Sequence, residues 1–373
     1  MKIGIIGAGP AGLSLARLLN ESGFQVTVYE VQSELAVKPC GWGFPHISGE
    51  DSSLLKPFIK DLEDSIVWEY SGYRVYLDGS LLFENKKRKV LGYIIDKKLF
   101  LKKLSEGIDL RLRSRARYVS ENMIEANGLR TKYDVVVNAG GFYNQKKDLE
   151  KIPAIQYHLE GSFEEPEIPE LYFDSNLVGY TWFFPENKRR ARIGIGGYAS
   201  VGILEEMLRR LIISKNQFRN SLIIRREGAY VTVNGIDHDL VKDKDPYHIG
   251  EALGAVMPAT GEGIRPSIYT SIALYKSLKS GTDYLSELKK LDIFNAIDLQ
   301  KKILDIEIKI DPNLRRQFLM KTPEDLLIKI SLGMITKKDL LSLAIRRESL
   351  KILLKSFADR FTTESLALQG GDE

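Results

Sequence analysis

Three groups of residues in this chain have the types and spacing to do chemistry. The run Lys2 to Ile6 ends directly in Gly7-Ala8-Gly9-Pro10-Ala11-Gly12. There Gly7 permits a tight turn, Gly9 lets the backbone approach a pyrophosphate, and Gly12 lets the next helix pack closely on the strand, with its N-terminus facing the anion. Glu30 stands 18 residues beyond Gly12, where a carboxylate accepts hydrogen bonds from ribose hydroxyls and disfavours a 2′-phosphate. This predicts a dinucleotide site without choosing between FAD and NAD; a Rossmann-like turn that holds no nucleotide is the plainer alternative. The second group is KPCGWGFP, Lys38 to Pro45, which carries the chain's one cysteine, Cys40. A free cysteine is most often a small buried hydrophobe. The flanking glycines, however, let backbone come close to a flat ligand with the thiol facing it, and an ordinary cysteine is mainly a proton-bearing thiol at neutral pH. His46 follows closely and reads as structural. The third group is YTWFFP, Tyr180 to Pro185. Strand alternation sets Tyr180, Trp182 and Phe184 on one face and Thr181 and Phe183 on the other, so the larger aromatics either wall an apolar cavity or are plain core.

The elements that position these groups follow from periodicity. Leu13, Leu15, Ala16, Leu18 and Leu19 recur at helical spacing until Gly23, and Val26, Val28 and Tyr29 form a second strand, making the first thirty residues one βαβ unit. Tyr70 to Glu84 alternates around Asp78-Gly79, a hairpin turn. Leu110, Leu112, Ala116 and Tyr118 alternate with Arg111, Arg113, Arg115 and Arg117, which predicts one strand with a solvated basic face. Tyr133 to Val137 is a buried strand, antiparallel strands run to about Val233 with a helix near Gly202 to Ser214, and from about Leu285 to Leu368 the pattern is helical and amphipathic.

With 373 residues, 43% of them hydrophobic and 28% charged, the chain is a folded protein of two or three units and not a disordered one. Fifty-four basic against 50 acidic residues give a formal charge of only +4, which does not argue for nucleic acid. One cysteine excludes an intrachain disulfide and a cysteine-cluster metal site, and with four scattered histidines it points to a reducing cytoplasm and no metal. No export signal or membrane span is read, so any membrane association is peripheral.

GEALGAVMPATGEGIRP, Gly250 to Pro266, joins KPCGWGFP and the N-terminal turn in a pattern that resembles the geranylgeranyl reductase family of flavoproteins, within the wider p-hydroxybenzoate hydroxylase-like FAD fold. YTWFFP followed by Gly194 and Gly196 is similar to that family's YxWxFP and GxG signature at the usual spacing. The resemblance covers roughly residues 1 to 280. It implies an α/β Rossmann-like FAD-binding domain (1–69, 93–145 and 240–284), an inserted antiparallel substrate sheet (70–92 and 146–239) and a C-terminal helical region (285–373). It also implies that the Gly250–Gly254 turn passes close to the flavin, and that the loop up to Gly261, Gly263 and Ile264 offers N–H groups to a reduced flavin. The chain departs from the family at Glu251, where Asp is usual, and at Lys97, where a related flavoprotein commonly has Arg.

By this resemblance FAD is held by Gly7, Gly9, Ala11, Gly12, Glu30, Cys40, Gly41, Lys97, Gly250, Glu251, Gly261, Gly263 and Ile264. Gly43, Phe44, Tyr180, Trp182, Phe184, Gly194 and Gly196 then hold a polyprenyl substrate, a geranylgeranyl diphosphate or an archaeal-type ether lipid. The family reduces isolated C=C bonds, so a hydride from the flavin must be matched by a proton. Cys40 or a water near it is the candidate source, Tyr180 and Trp182 are candidate π partners of a carbocation-like transition state, and Arg189, Arg190 and Arg192 are candidate cations for a headgroup. Because only one GxGxxG turn follows a strand, the expected electron donor is an external ferredoxin-like carrier, not a docked NAD(P)H. A monooxygenase or halogenase of the same fold, a non-catalytic flavin- and isoprenoid-binding protein, and a menaquinone side chain as substrate remain open alternatives.

Overall fold

The computed structural model describes residues 1–46, 50–86, 89–144 and 149–339. Its first layer grows from three β-branched runs, Lys2–Ile6, Gln25–Tyr29 and Val135–Asn138, whose residues are mostly buried. Tyr247–His248, Val135–Asn138, Lys2–Ile6, Gln25–Tyr29 and Asp109–Arg111 lie side by side in that order, every neighbouring pair parallel, as continuous hydrophobic strands require. The helix Pro10–Glu21 buries Leu13, Leu15, Leu18 and Leu19 against this sheet and ends at Ser22. Gly23, at φ +82°, follows in the left-handed conformation. A second helix, Ile264–Ser280, packs beside it, and Ser271 Oγ donates to the Ala11 carbonyl at 2.7 Å.

The second layer is a seven-stranded sheet in the order Leu222–Thr232, Lys151–Glu160, Arg190–Gly197, Gly179–Pro185, Glu170–Phe173, Tyr73–Leu77 and Ser80–Asn85. It is antiparallel except where Glu170–Phe173 runs parallel to Tyr73–Leu77. Asp78 and Gly79 turn its outer hairpin at φ +48° and +81°. The helix Val201–Ser214, capped by Ser200, lays Leu204, Leu208 and Ile212 on one face of this sheet, over Tyr157, Phe183, Ile193 and Ile195. A small sheet of Gly43–Pro45, Gly92–Ile95 and Ile66–Tyr70 carries the chain between the two layers. The helices Tyr284–Lys289, Asp292–Glu307, Pro312–Lys321 and Glu324–Ser331 follow. Buried Arg315 ties them to the sheet by donating to the carbonyls of Glu307, Ile310 and Ser175. The architecture is a Rossmann-like α/β layer with a mixed substrate-type sheet and C-terminal helices. The helical expectation for 340–368 lies outside the described residues.

One expected element differs. Leu110 to Tyr118 is not a single strand: Asp109–Arg111 and Ala116–Tyr118 belong to different sheets. Arg113 takes φ +52°, and the chain there folds around the end of Gln25–Tyr29, with Arg113 N donating to Gln32 O and Ser114 N to Glu30 O at 2.9 and 2.8 Å. The arginine side chains at 111, 113, 115 and 117 are solvated as expected.

Candidate active site

The N-terminal turn has the shape of an anion cradle. Gly7 sits at φ +104°, and a methyl group on it would lie 2.4 Å from the Ala139 carbonyl oxygen, so only glycine fits. A methyl group on Gly12 would lie 2.0 Å from the Gly7 oxygen, which shows how tightly the helix start is drawn onto the strand end. Gly9 is different: nothing lies within 4 Å of the place its Cβ would take. It is also the N-cap of Pro10–Glu21, with no side chain capping that helix, so open space meets uncommitted N–H groups. Glu30 stands beside the turn, its carboxylate accepting from Ala8 N and Gln32 N at 2.9 Å each. These residues fit a dinucleotide.

The C-terminal motif closes on the same place. Gly250, at φ +62°, brings its turn so near Ala11 that a methyl group would lie 2.6 Å from the alanine Cβ. Glu251 then reaches Lys38 of the cysteine loop, with both carboxylate oxygens bonded to Nζ at 2.8 and 2.6 Å. Gly261 takes φ +72°, and Gly263 is the N-cap of Ile264–Ser280 with no side chain capping it. Gly254, in the same turn, is also closed upon by protein backbone. A methyl group there would lie 1.9 Å from the Gly235 oxygen, so that backbone demands the glycine.

The cysteine loop lies directly against the aromatic strand Gly179–Pro185. A methyl group on Gly41 would sit 3.2 Å from the Phe184 ring and 3.5 Å from the Trp182 indole nitrogen, and one on Gly43 would sit 3.4 Å from Phe184. Phe44 turns the other way, into the core. Cys40 is half-buried, and its Sγ accepts from Trp42 N at 3.4 Å. Lys97 lies under the loop, buried, its ammonium donating to the Lys38 carbonyl at 2.6 Å. Burial holds its pKa below the ordinary lysine value. Lys97 therefore braces the loop. His46 is exposed and bonds Tyr93 Oη at 2.7 Å.

On the aromatic strand the alternation is as read: Thr181 and Phe183 are buried under the helix, whereas Tyr180, Trp182 and Phe184 are only half-buried on the opposite face. Cross-strand pairing places Gly194 opposite Trp182 and Gly196 opposite Tyr180. The glycine at 194 is what lets the indole lie flat, since a methyl group there would be 2.2 Å from Trp182 Cζ2. The Tyr180 and Trp182 rings are 6.0 Å apart at 60°. Tyr180 Oη donates to the Thr260 carbonyl at 2.5 Å, and burial, then the Glu262 carboxylate, holds the phenol well above its usual pKa. Its proton is thus committed to the C-terminal loop.

Two residues behind the loop were not singled out as its partners from sequence. Gln156 accepts from Trp182 Nε1 at 3.2 Å and donates to the Cys40 carbonyl at 3.3 Å and to Glu227 at 2.8 Å. Arg192, expected as a headgroup cation, is 3% exposed. It is paired with Glu186 at 2.5 Å, donates to the Cys40 carbonyl at 3.0 Å and stacks on Trp42. Arg192 therefore faces the loop; Arg189 and Arg190 remain at the surface. The signal for Arg192 was its position two residues before Gly194 on the same strand face. Gly194 to Gly197 lies within a strand and starts no helix. Among the described residues no group of His, Cys, Asp and Glu could hold a metal, and no helix is long and apolar enough to cross a membrane.

Comparison with known proteins agrees with this geometry. A family model described as an NAD(P)-binding Rossmann-like domain matches residues 5–38. A digeranylgeranylglycerophospholipid reductase of Methanosarcina acetivorans is 24% identical over 326 residues, 77% of this chain and 78% of that protein. A solved geranylgeranyl bacteriochlorophyll reductase-like protein from Thermoplasma acidophilum superposes with a TM-score of 0.76 at 21% identity, covering 95% of this chain and 98% of that one. A flavin-dependent brominase superposes at 0.67 with 14% identity, over 91% and 96% of the two chains. At 22–26% identity the kinship to digeranylgeranylglycerophospholipid reductases is distant; the chain resembles them over most of its length and has the Rossmann-like fold of the solved geranylgeranyl bacteriochlorophyll reductase-like protein.

Proposed function

We propose that the chain is a flavin-dependent reductase that hydrogenates isolated C=C bonds of a geranylgeranyl or related polyprenyl chain. The observation that carries this is the seating of the cysteine loop on the aromatic strand, with Gly41 and Gly43 against Trp182 and Phe184. An unpolarised alkene needs a hydride on one carbon and a proton on the other. FAD, when bound, supplies the hydride, drawing two electrons from an external reductant. The turn at Gly7, Gly9 and Gly12, Ala11 and Glu30 would hold its adenosine and pyrophosphate half. Gly250, Glu251, Gly261, Gly263 and Ile264 would border the other half, and Lys97 would act there through the loop that presents Cys40 and Gly41.

The rest is the work of the chain's own side chains. Trp42 N–H donates to Cys40 Sγ, so the thiol proton is left to be given to an alkene carbon and then replaced from water. Trp182 lies over Gly194 with Tyr180 beside it, and the two rings would stabilise positive charge that builds as the proton arrives. Phe184 closes the site on the side of Gly41 and Gly43, whereas Phe44, expected to line it, is packed in the core.

The test is an anaerobic assay of the FAD-loaded, dithionite-reduced protein with polyprenyl lipid extracts and geranylgeranyl diphosphate, read by mass spectrometry. A gain of two hydrogens per double bond is expected. A product heavier by one oxygen, with substrate-stimulated oxygen uptake, would make the chain a monooxygenase; binding without turnover would make it a carrier. NADH at micromolar concentration should reduce the flavin slowly, because one Rossmann turn serves one dinucleotide; rapid bleaching would contradict an external carrier such as a ferredoxin.

A further inference from the structure

Trp42 takes φ +64° between two glycines, a left-handed conformation that is costly for a bulky residue. Something must hold it there, and the structure shows what does. The guanidinium carbon of Arg192 lies 3.5 Å from the centroid of the Trp42 ring. The same guanidinium donates through Nη1 to the Cys40 carbonyl at 3.0 Å and through Nε to Glu186 at 2.5 Å. Gln156 donates to the same carbonyl from the neighbouring strand, at 3.3 Å. Both side chains are 3% exposed. A buried arginine is expensive unless it is paired and hydrogen-bonded, and here Glu186 pairs its charge while Nη1 and the guanidinium face are given to the loop.

We propose that Arg192, with Gln156, is a positioning clamp that reaches from the sheet into the cysteine loop and fixes the direction in which Cys40 presents its thiol. The carbonyl of Cys40 is tied on one side and the ring of Trp42, two residues on, is tied on the other. The peptide units between them are locked in the conformation that also places Trp42 N–H on Cys40 Sγ. Lys97 holds the carbonyl of Lys38, two residues before Cys40, from the opposite layer. The thiol is therefore aimed by the two layers together. That this aim serves proton delivery rests on the reading above; the clamp itself does not.

Arg192→Lys keeps a positive charge for Glu186 but cannot both stack and fork, so charge pairing alone does not preserve the clamp. In this variant the chain's only cysteine should react with iodoacetamide about fivefold faster or more, as the loop opens locally. The fluorescence of Trp42, assigned by difference against Trp42→Phe, should also change as the stacked cation is lost. Turnover should fall by about 10- to 100-fold with KM little changed, the mark of a misplaced group and not of lost binding. Trp42→Gly relieves the backbone and removes the stack while leaving Arg192 in place, and it should reproduce the faster alkylation. Wild-type alkylation and Trp42 emission in Arg192→Lys would overturn the clamp, as would wild-type alkylation in Trp42→Gly should the lysine variant not fold. If the loop loosens as expected while the wild type reduces no alkene, the clamp stands and the proposed function falls.

Discussion

The two faces of the seven-stranded sheet are built from the same strands and yet treat their aromatics in opposite ways. Phe183 is 2% exposed, its ring 4.7 Å from that of Phe218 and 5.3 Å from that of Phe163, with Ile193 and Leu208 in the same cluster. One residue earlier, Trp182 lies half-buried over a glycine, and its indole nitrogen is bonded to a side chain that also holds the cysteine loop. The first arrangement is apolar and sealed by a helix. The second places a glycine under the indole and uses polar groups to orient a neighbour.

The contrast can be broken most directly by truncating each ring. Phe183→Ala should cost about 3–5 kcal/mol, as for a fully buried phenylalanine, read as a fall in the denaturation midpoint. Trp182→Ala should cost clearly less and instead weaken binding of a polyprenyl substrate. Equal destabilisation by the two would mean that both faces are core. Cys40→Ser carries the next largest effect: alkene reduction should slow by roughly 100-fold or more, the loss associated with a positioned acid, while FAD binding and flavin reduction by dithionite stay normal. Wild-type turnover would reduce Cys40 to a packing residue.

Gly194→Ala sharpens the contrast on the open face alone. Its methyl group must displace the Trp182 ring, and KM should rise by about tenfold with a stability loss of roughly 1–3 kcal/mol from the overpacked strand; an unshifted KM would show that the flat indole does not matter to the substrate. The smallest effect extends the comparison to the parallel sheet, where His248 is buried on an edge strand. Burial lowers the pKa of His248 below its ordinary 6.5, against the pull of Asp243 and Asp237. The unfolded chain then takes up a proton that the folded one refuses, so stability is full above that ordinary value and falls as pH drops through it. His248→Gln should lose less stability than the wild type between about pH 7 and about pH 5, and parallel titration curves would remove His248 from the acid response.

The readings that held were of features whose cause is local. A turn that needs positive φ at Gly7, a helix start that must approach its own strand at Gly12, and a period of two that separates Trp182 from Phe183 are properties of a few consecutive residues. The same period misled at Leu110 to Tyr118. There the alternation was real, but hydrogen bonds from Arg113 and Ser114 to Gln32 and Glu30, some eighty residues earlier, bent the chain out of one sheet and into another. At Gly254 the sequence could not show the group that demands a glycine, since the Gly235 carbonyl lies well away from it in sequence.

Sequence by itself thus determined the βαβ unit, its glycine turn with Glu30, and the three motifs that carry the resemblance. It could not determine what each motif touches, because that depends on contacts closed over long stretches of chain. Lys38 meets Glu251 across 213 positions, Tyr180 meets Thr260 across 80, and Arg192 meets Cys40 across 152. Only the tertiary structure turned Arg192 from a surface cation into a buried partner of the cysteine loop, because a guanidinium's role is set by the acceptors and rings that surround it after folding, and none of these lies beside it in sequence except Glu186.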